Sequence, residues 1–199
     1  MIIKVCGITS AEDAAAAAAA GAGAIGFNFY PRSPRYIAPA AAARIPSGGM
    51  RRVGVFVNEA PARVAEIAAA AALDIVQLHG DEAPADYPAG LPVWKAARVD
   101  ARFDWDAWRD CPAEALLLDG PADLLYGGAG RTFEWRIARA GGRRIILAGG
   151  LDADNVEDAI AAAHPGGVDA CSRIERAPGI KDHQKMTEFI QAARRAFAC

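Results

Sequence analysis

Histidine and cysteine are scarce in this chain of 199 residues. It holds three histidines (His79, His164, His183) and four cysteines (Cys6, Cys111, Cys171, Cys199), all widely spaced. No CxxC pair and no His/Cys ligand spacing occurs, so the sequence predicts neither a zinc site nor a disulfide framework. Free thiols of this kind suit a reducing cytoplasm. Basic excess is also lacking: 22 Lys and Arg stand against 24 Asp and Glu, a net charge of −2. A general nucleic-acid binder needs the opposite balance. The longest run of small apolar residues, Ala14 to Ala20, is bounded by Glu12-Asp13 and Gly21. It falls well short of the about 20 residues that cross a bilayer, so no membrane partner is expected. No charged leader precedes an apolar stretch and cleavage site, so no signal peptide is read. No GxxxxGK[ST] loop is present, which removes nucleotide-triphosphate chemistry. Nothing in the sequence calls for a metal or a cofactor.

What is present is a globular composition, 53% hydrophobic and 23% charged. The length suits one domain of about 150 residues or somewhat more. Eight short apolar or β-branched runs punctuate the chain: Ile2 to Val5, Ala24 to Phe29, Arg52 to Val57, Ile75 to Leu78, Val93 to Ala97, Ala115 to Leu118, Arg144 to Leu147 and Val168 to Cys171. Helical stretches separate many of them. Ser10 followed by Glu12-Asp13 reads as a helix start, and Gly21 with Gly23 as its end. Pro39 and Pro61 suit first helical turns. A helix is expected from about Asp152 and a last one from about Asp182 to Phe197. Pro84, Pro88 and Pro92 crowd the span between the fourth and sixth runs, where only short or irregular helix is expected. This spacing is that of βα units, and uniformly apolar runs such as Leu116-Leu117-Leu118 read as parallel strands covered on both faces. Alternation alone fits either a doubly wound sheet or a barrel. The polar residues decide. Cys6, Asn28, Arg35, His79, Asp119, Gly149-Gly150 and Ser172-Arg173 all follow strand candidates. A closed (β/α)8 barrel over residues 1–199 gathers strand ends at one mouth, whereas an open sheet spreads them apart.

Each candidate has a bland reading and a chemical one. Gly21-Ala-Gly23-Ala-Ile-Gly26 matches GxGxxG, but it follows a helix and opens a strand, the reverse of a dinucleotide fingerprint. Cys6 reads as a buried structural thiol or as a thiolate base at a strand end. Asp119 reads as a turn residue or as a general acid or base at the mouth. Asp169 lies inside an apolar strand and must be paired there, structurally or as part of a site. Gly127-Gly-Ala-Gly130 and Ala148-Gly-Gly150 are turns or phosphate-binding loops. The loops after strands seven and eight of a barrel serve phosphate through backbone N–H groups, and Gly149, Gly150, Ser172 and Arg173 occupy them. His79 reads as a hydrogen-bonded wall residue. His164 and His183 read as surface residues.

Taken in series, Lys4-Val-Cys-Gly-Ile-Thr9, Gly26-Phe-Asn-Phe-Tyr-Pro-Arg-Ser-Pro-Arg-Tyr36, Val53-Gly-Val-Phe-Val-Asn58, Val76-Gln-Leu-His-Gly80, Leu116-Leu-Leu-Asp119, Gly127-Gly-Ala-Gly-Arg-Thr-Phe-Glu-Trp135, Leu147-Ala-Gly-Gly-Leu151 and Pro178-Gly-Ile-Lys-Asp182 resemble the phosphoribosylanthranilate isomerase family. They run in order over almost the whole chain. The resemblance implies a (β/α)8 barrel and the isomerisation step of tryptophan biosynthesis, with a small phosphoribosyl molecule as substrate. It puts the general base on Cys6, the general acid on Asp119 and the group facing the anthranilate carboxylate on Arg35. His79 and Asp169 are further substrate-binding candidates. Gly128, Gly130, Gly149, Gly150, Ser172 and Arg173 are the phosphate-binding ones. The chemistry asks Asp119 to hold a proton and Cys6 to have lost one. Monomer and homodimer both remain open.

Two departures from the family pattern stand out. Cys171-Ser172-Arg173 replaces a usual Ser-Ser-Gly run, and Ala129 stands where a Ser or Thr usually precedes the last glycine of its loop. Arg173 either supplements the phosphate or turns to solvent. One rival reading is the aldose–ketose isomerase of histidine biosynthesis, against which Cys6 speaks, since an aspartate normally stands there. Another is a non-catalytic phosphosugar-binding barrel, which needs neither Cys6 nor Asp119.

Overall fold

All eight apolar runs form strands in the computed structural model, which describes residues 1–120 and 133–198. They are β1 (Ile2–Cys6), β2 (Ala24–Asn28), β3 (Arg51–Phe56), β4 (Ile75–Leu78), β5 (Val93–Arg98), β6 (Ala115–Asp119), β7 (Ile145–Leu147) and β8 (Gly167–Ala170). Each pairs in parallel with its neighbours in chain order, and β1 closes the ring on β8 in the register Ile2↔Gly167, Lys4↔Asp169 and Val5↔Ala170. The closed parallel barrel expected from the strand-end residues is therefore formed.

Period two along each strand sorts side chains into two cores. Ile2, Ala24, Val53, Ile75, Trp94, Ala115, Leu117 and Ile146 fill the barrel interior as one cluster. Ile3, Val5, Ile25, Val76, Leu116, Leu118, Leu147 and Val168 point outward into the larger cluster under the helices. The interior parity continues past the apolar layers. The residues two or four places beyond the inward apolar ones are Lys4 and Cys6, Gly26 and Asn28, Gln77 and His79, and Asp119. On β8 the same parity selects Asp169 and Cys171. The chemistry-capable set is thus the top of the barrel's own interior, at the strand C-terminal ends.

The helices follow their local signals. Helix α1 (Ala11–Ala20) is capped by Ser10, whose side chain accepts from the Asp13 N–H at 3.1 Å, and stopped by Gly21 in the left-handed region at φ 95°. Helices α2 (Pro39–Ala43) and α3 (Pro61–Ala70) begin on the expected prolines. Between β4 and β6 there are only 3-10 turns, Pro84–Asp86 and Trp105–Trp108, as the proline density implies. Helix α4 (Val156–Ala163) starts four residues later than Asp152, because Asp152 to Asn155 fold as a turn in which Asn155 accepts from the Asp152 N–H. Helix α5 (His183–Ala198) closes the ring against α1 and α4. A small antiparallel hairpin, β9 (Glu175–Ala177) with β10 (Ile180–Lys181), was not anticipated. It stands beside the mouth, between β8 and α5. No helix of the described residues is long and apolar enough to cross a membrane.

Leu117 is fully buried in the barrel interior. Leu117→Ala is expected to lower unfolding stability by about 3 kcal/mol, through lost transfer energy and the cavity left behind. A urea unfolding midpoint measured against the parent checks this.

Candidate active site

The mouth of the barrel holds a cleft lined by Cys6, Asn28, Arg35, His79, Asp119, Gly149, Gly150, Asp169, Ser172 and Arg173, among others. Every site residue expected within the described part of the chain lies there. Gly128 and Gly130 fall outside the described residues. A larger cavity of about 630 Å³ opens from His79 and Asp119 toward Tyr87 and Trp108.

Cys6 ends β1 and is 9% exposed. Gly26 on β2 makes room for it: a Cβ there would lie 2.9 Å from the Cys6 sulfur. The thiol is pulled well below the ordinary thiol range. Hydrogen bonding from the neighbouring Cys171 thiol is the main cause; the ammonium groups of Lys4 and Lys181 add to it, and together they outweigh burial. Cys171 is pushed in the opposite direction, first by the same contact and then by burial. Of the two thiols, Cys6 is the one whose ionisation the surroundings favour.

Lys4 and Asp169 face each other across the β1–β8 seam, with Nζ donating to Oδ2 at 2.8 Å. Both are buried. Burial alone would lower the Lys4 pKa, but Asp169 and Cys6 raise it overall. Asp169 is pushed up to about 7, chiefly by burial, with Cys6 and Asp119 adding to the rise and Lys4 opposing it. Taken alone, the Asp169 shift would leave the pair partly neutral near pH 7. The 2.8 Å contact to a fully buried ammonium favours the ionised pair. The other oxygen of Asp169, Oδ1, is buried without a protein partner among the described residues, in the wall of the cleft.

Asp119 ends β6 on the opposite side of the barrel. His79 Nε2 lies 3.2 Å from its Oδ2, and His79 Nδ1 lies 3.0 Å from the Gln77 side-chain nitrogen. The two ring nitrogens of His79 thus link Gln77 to Asp119 in one hydrogen-bonded series. Gly149 follows β7 with φ at 81°, and a Cβ there would come within 2.8 Å of Asp119 Oδ1. Only glycine fits both that backbone and that approach. Gly150 also lies at positive φ, and Ser172 opens the 3-10 turn Ser172–Ile174. The Arg173 guanidinium turns outward to Asp152, with Nε donating to Oδ2 at 2.7 Å and the side chain half exposed.

Arg35 reaches the cleft from the loop after β2, but its fork is partly taken. Nε and Nη2 donate to the Glu175 carboxylate at 2.8–3.1 Å. Burial disfavours both charges, yet the pairing wins: Arg35 is raised, and Glu175, which also accepts from Lys181, is lowered. His164 is exposed, as expected; His183 also lies at the surface, where it pairs with Asp13 at 2.8 Å. Lys95 turns to Glu82 in a buried pair.

Residue-by-residue reading overlooked three participants. Lys4 gave the same signal as Asp169, a charge inside an apolar strand, two places before Cys6. Glu175 and Lys181 flank Pro178-Gly179, a turn dipeptide between two short runs, which is a hairpin signal.

A parallel eight-stranded barrel with a lowered-pKa thiol, a carboxylate and a glycine-lined loop converging on its C-terminal mouth defines an enzyme of the (β/α)8 class. The family model for N-(5'-phosphoribosyl)anthranilate (PRA) isomerase matches residues 3–192. A relative from Solibacter usitatus named N-(5'-phosphoribosyl)anthranilate isomerase is 66% identical over 196 residues, covering 98% of each chain. The crystal structure of phosphoribosyl anthranilate isomerase from Thermotoga maritima is similar at a TM-score of 0.89 and 38% identity, over 98% of this chain and 100% of that one. Another, of phosphoribosyl anthranilate isomerase in complex with reduced 1-(o-carboxyphenylamino)-1-deoxyribulose 5-phosphate, is similar at a TM-score of 0.86 and 36% identity, with the same coverage. The chain belongs to the N-(5'-phosphoribosyl)anthranilate isomerase family.

The buried Lys4–Asp169 pair makes a stability prediction. Asp169→Asn leaves an uncompensated ammonium inside the barrel and is expected to cost about 3–5 kcal/mol. The double variant Lys4→Met/Asp169→Asn is expected to cost less than that single one. Urea unfolding of the three proteins measures the coupling directly.

Proposed function

We propose that this protein catalyses the Amadori rearrangement of N-(5′-phosphoribosyl)anthranilate to 1-(2-carboxyphenylamino)-1-deoxyribulose 5-phosphate, in tryptophan biosynthesis. The observation that carries the reading is a thiol held toward its thiolate and a carboxylate on opposite walls of one cleft. The family membership and the neighbour bound to a reduced form of that product support it. A cytoplasmic setting, which keeps the thiol reduced, suits the same reading.

The residues divide the steps as follows. Asp119 gives its proton to the furanose ring oxygen. The bond from that oxygen to C1 breaks, and the nitrogen lone pair forms the C1=N bond of a Schiff base. The Cys6 thiolate then takes the proton from C2, and the C–H electrons form the C1=C2 bond of an enolamine while the nitrogen recovers its lone pair. Protonation at C1 and loss of the hydroxyl proton on O2 give the ketone, and a further proton exchange returns Asp119 and Cys6 to their starting states. His79, hydrogen-bonded to Asp119 through Nε2, holds that carboxyl in place. The backbone N–H groups around Gly149, Gly150 and Ser172 are the phosphate-binding candidates at the mouth. The Arg173 side chain, held by Asp152, contributes through its backbone position alone. The unpartnered Asp169 Oδ1 is a site for a sugar hydroxyl.

Anthranilate, phosphoribosyl pyrophosphate and a coupling transferase generate the unstable substrate in place. Its fluorescence is expected to disappear when this protein is added. Cys6→Ala and Asp119→Asn are each expected to lower kcat by about 10²- to 10⁴-fold with the fold intact. No turnover by the folded parent would contradict the reading and point to the histidine-pathway aldose–ketose substrate.

A further inference from the structure

Glu175 is a buried charge beside the cleft that the mechanism above leaves unused. It begins β9, immediately after the Ser172–Ile174 turn, and its side chain is 3% exposed. Groups from four places in the chain converge on it, the first being the Cys171 thiol just after β8, whose sulfur lies 3.9 Å from Oε1. Arg35, from the loop after β2, donates through Nε to Oε1 at 3.0 Å and to Oε2 at 3.1 Å, and through Nη2 to Oε2 at 2.8 Å. Lys181, on β10, donates to Oε1 at 2.8 Å. The Gly179 N–H, from the hairpin turn, reaches Oε1 at 3.3 Å. A carboxylate so held has no freedom to follow a ligand, and it removes that freedom from Arg35 as well.

The contacts identify which edge of the guanidinium is taken. An arginine has five N–H donors in a planar fork. Glu175 occupies the side edge, made by Nε and one hydrogen of Nη2. The end edge, made by Nη1 and the other Nη2 hydrogen, is a second bidentate face with the geometry of a carboxylate. Arg35 lines the cleft together with Cys6, Asn28 and Ser33, whereas Glu175 stands behind it and is not a lining residue. Burial agrees: the Arg35 side chain is 14% exposed against 3% for its partner.

We propose that Glu175 is a positioning residue for the substrate, clamping the side edge of Arg35 so that the end edge meets the ring carboxylate. This rests on the reading that Arg35 receives that carboxylate. The β9–β10 hairpin has its purpose here. It carries Glu175 and Lys181 to the rim and ties Glu175 to Arg35 of the β2 loop. Lys181 returns to the cluster the charge that Glu175 takes from it, so Arg35, Glu175 and Lys181 together keep one net positive charge.

Orientation and bulk charge make opposite predictions for one variant. Glu175→Gln keeps the shape and raises the cluster to two positive charges. Simple attraction would then tighten binding of an anionic substrate. Loss of the clamp weakens it. The turnover assay is run on the parent, Arg35→Ala, Glu175→Gln and the double variant, with circular dichroism to establish folding. Arg35→Ala and Glu175→Gln are each expected to raise KM about tenfold while kcat changes less than about threefold, and the double variant to be no worse than Arg35→Ala alone. If Arg35→Ala raises KM and Glu175→Gln leaves it unchanged or lowers it, the positioning role is overturned. The same follows if the two effects multiply in the double variant. An unchanged KM in Arg35→Ala overturns the Arg35 assignment itself, and the positioning role with it. Should Glu175→Gln not fold, Glu175→Gln/Lys181→Met removes one charge of each sign and is judged by the same outcomes against Lys181→Met.

Discussion

Closure of the barrel along β1 and β8 is the constraint on which the rest of this structure depends. The two strands come from opposite ends of the chain, and their pairing sets Lys4 against Asp169 inside the barrel. Two residues further along each strand, the same seam brings Cys6 beside Cys171. A slip of one residue by β1 would send Lys4 and Cys6 out under the helices, turn Ile3 and Val5 inward, and leave Asp169 inside without its counter-ion. The site exists only in the register that closes the ring.

Within that register, charge is layered. The lower interior is apolar, from Ile2 through Trp94 to Leu117. The upper interior holds Lys4, Cys6, Asp119 and Asp169, groups that cost energy to bury unless they are paired. They are paired mainly with one another. Lys4 serves twice, as the counter-ion of Asp169 and as a positive charge beside Cys6. Stability and reactivity are therefore drawn from the same contacts. The ammonium that keeps Asp169 from being an isolated buried charge also favours the thiolate. On the other wall, the Gln77–His79–Asp119 series does the corresponding work of orientation.

Much of this was legible in the sequence. Eight apolar runs at βα spacing, with a reactive or glycine residue after most of them, were enough for the barrel and for the group at its mouth. Cys6, Asp119, His79 and Gly149 stand where the strand-end pattern put them, and Asp169 lies inside its strand as read. What stayed hidden depended on contacts between distant segments. Arg35 and Glu175 are 140 residues apart, and nothing local ties the one to the other. The hairpin that brings them together is five residues of strand in all, too short to show a period. The outward turn of Arg173 depends on Asp152, again a partner from another loop. The expected start of α4 near Asp152 comes four residues early, since Asp152 to Asn155 form a turn and the cap position falls on Asn155. Local signals carried the architecture; the pairing of charges needed the closed fold.

The closed seam lowers the pKa of the Cys6 thiol. The most direct test is the ultraviolet thiolate absorbance of the folded protein as a function of pH, taken as the difference between the parent and Cys6→Ser. The account predicts a titration midpoint for Cys6 well below the about 8.5 of an ordinary thiol. A midpoint at or above that value would contradict it.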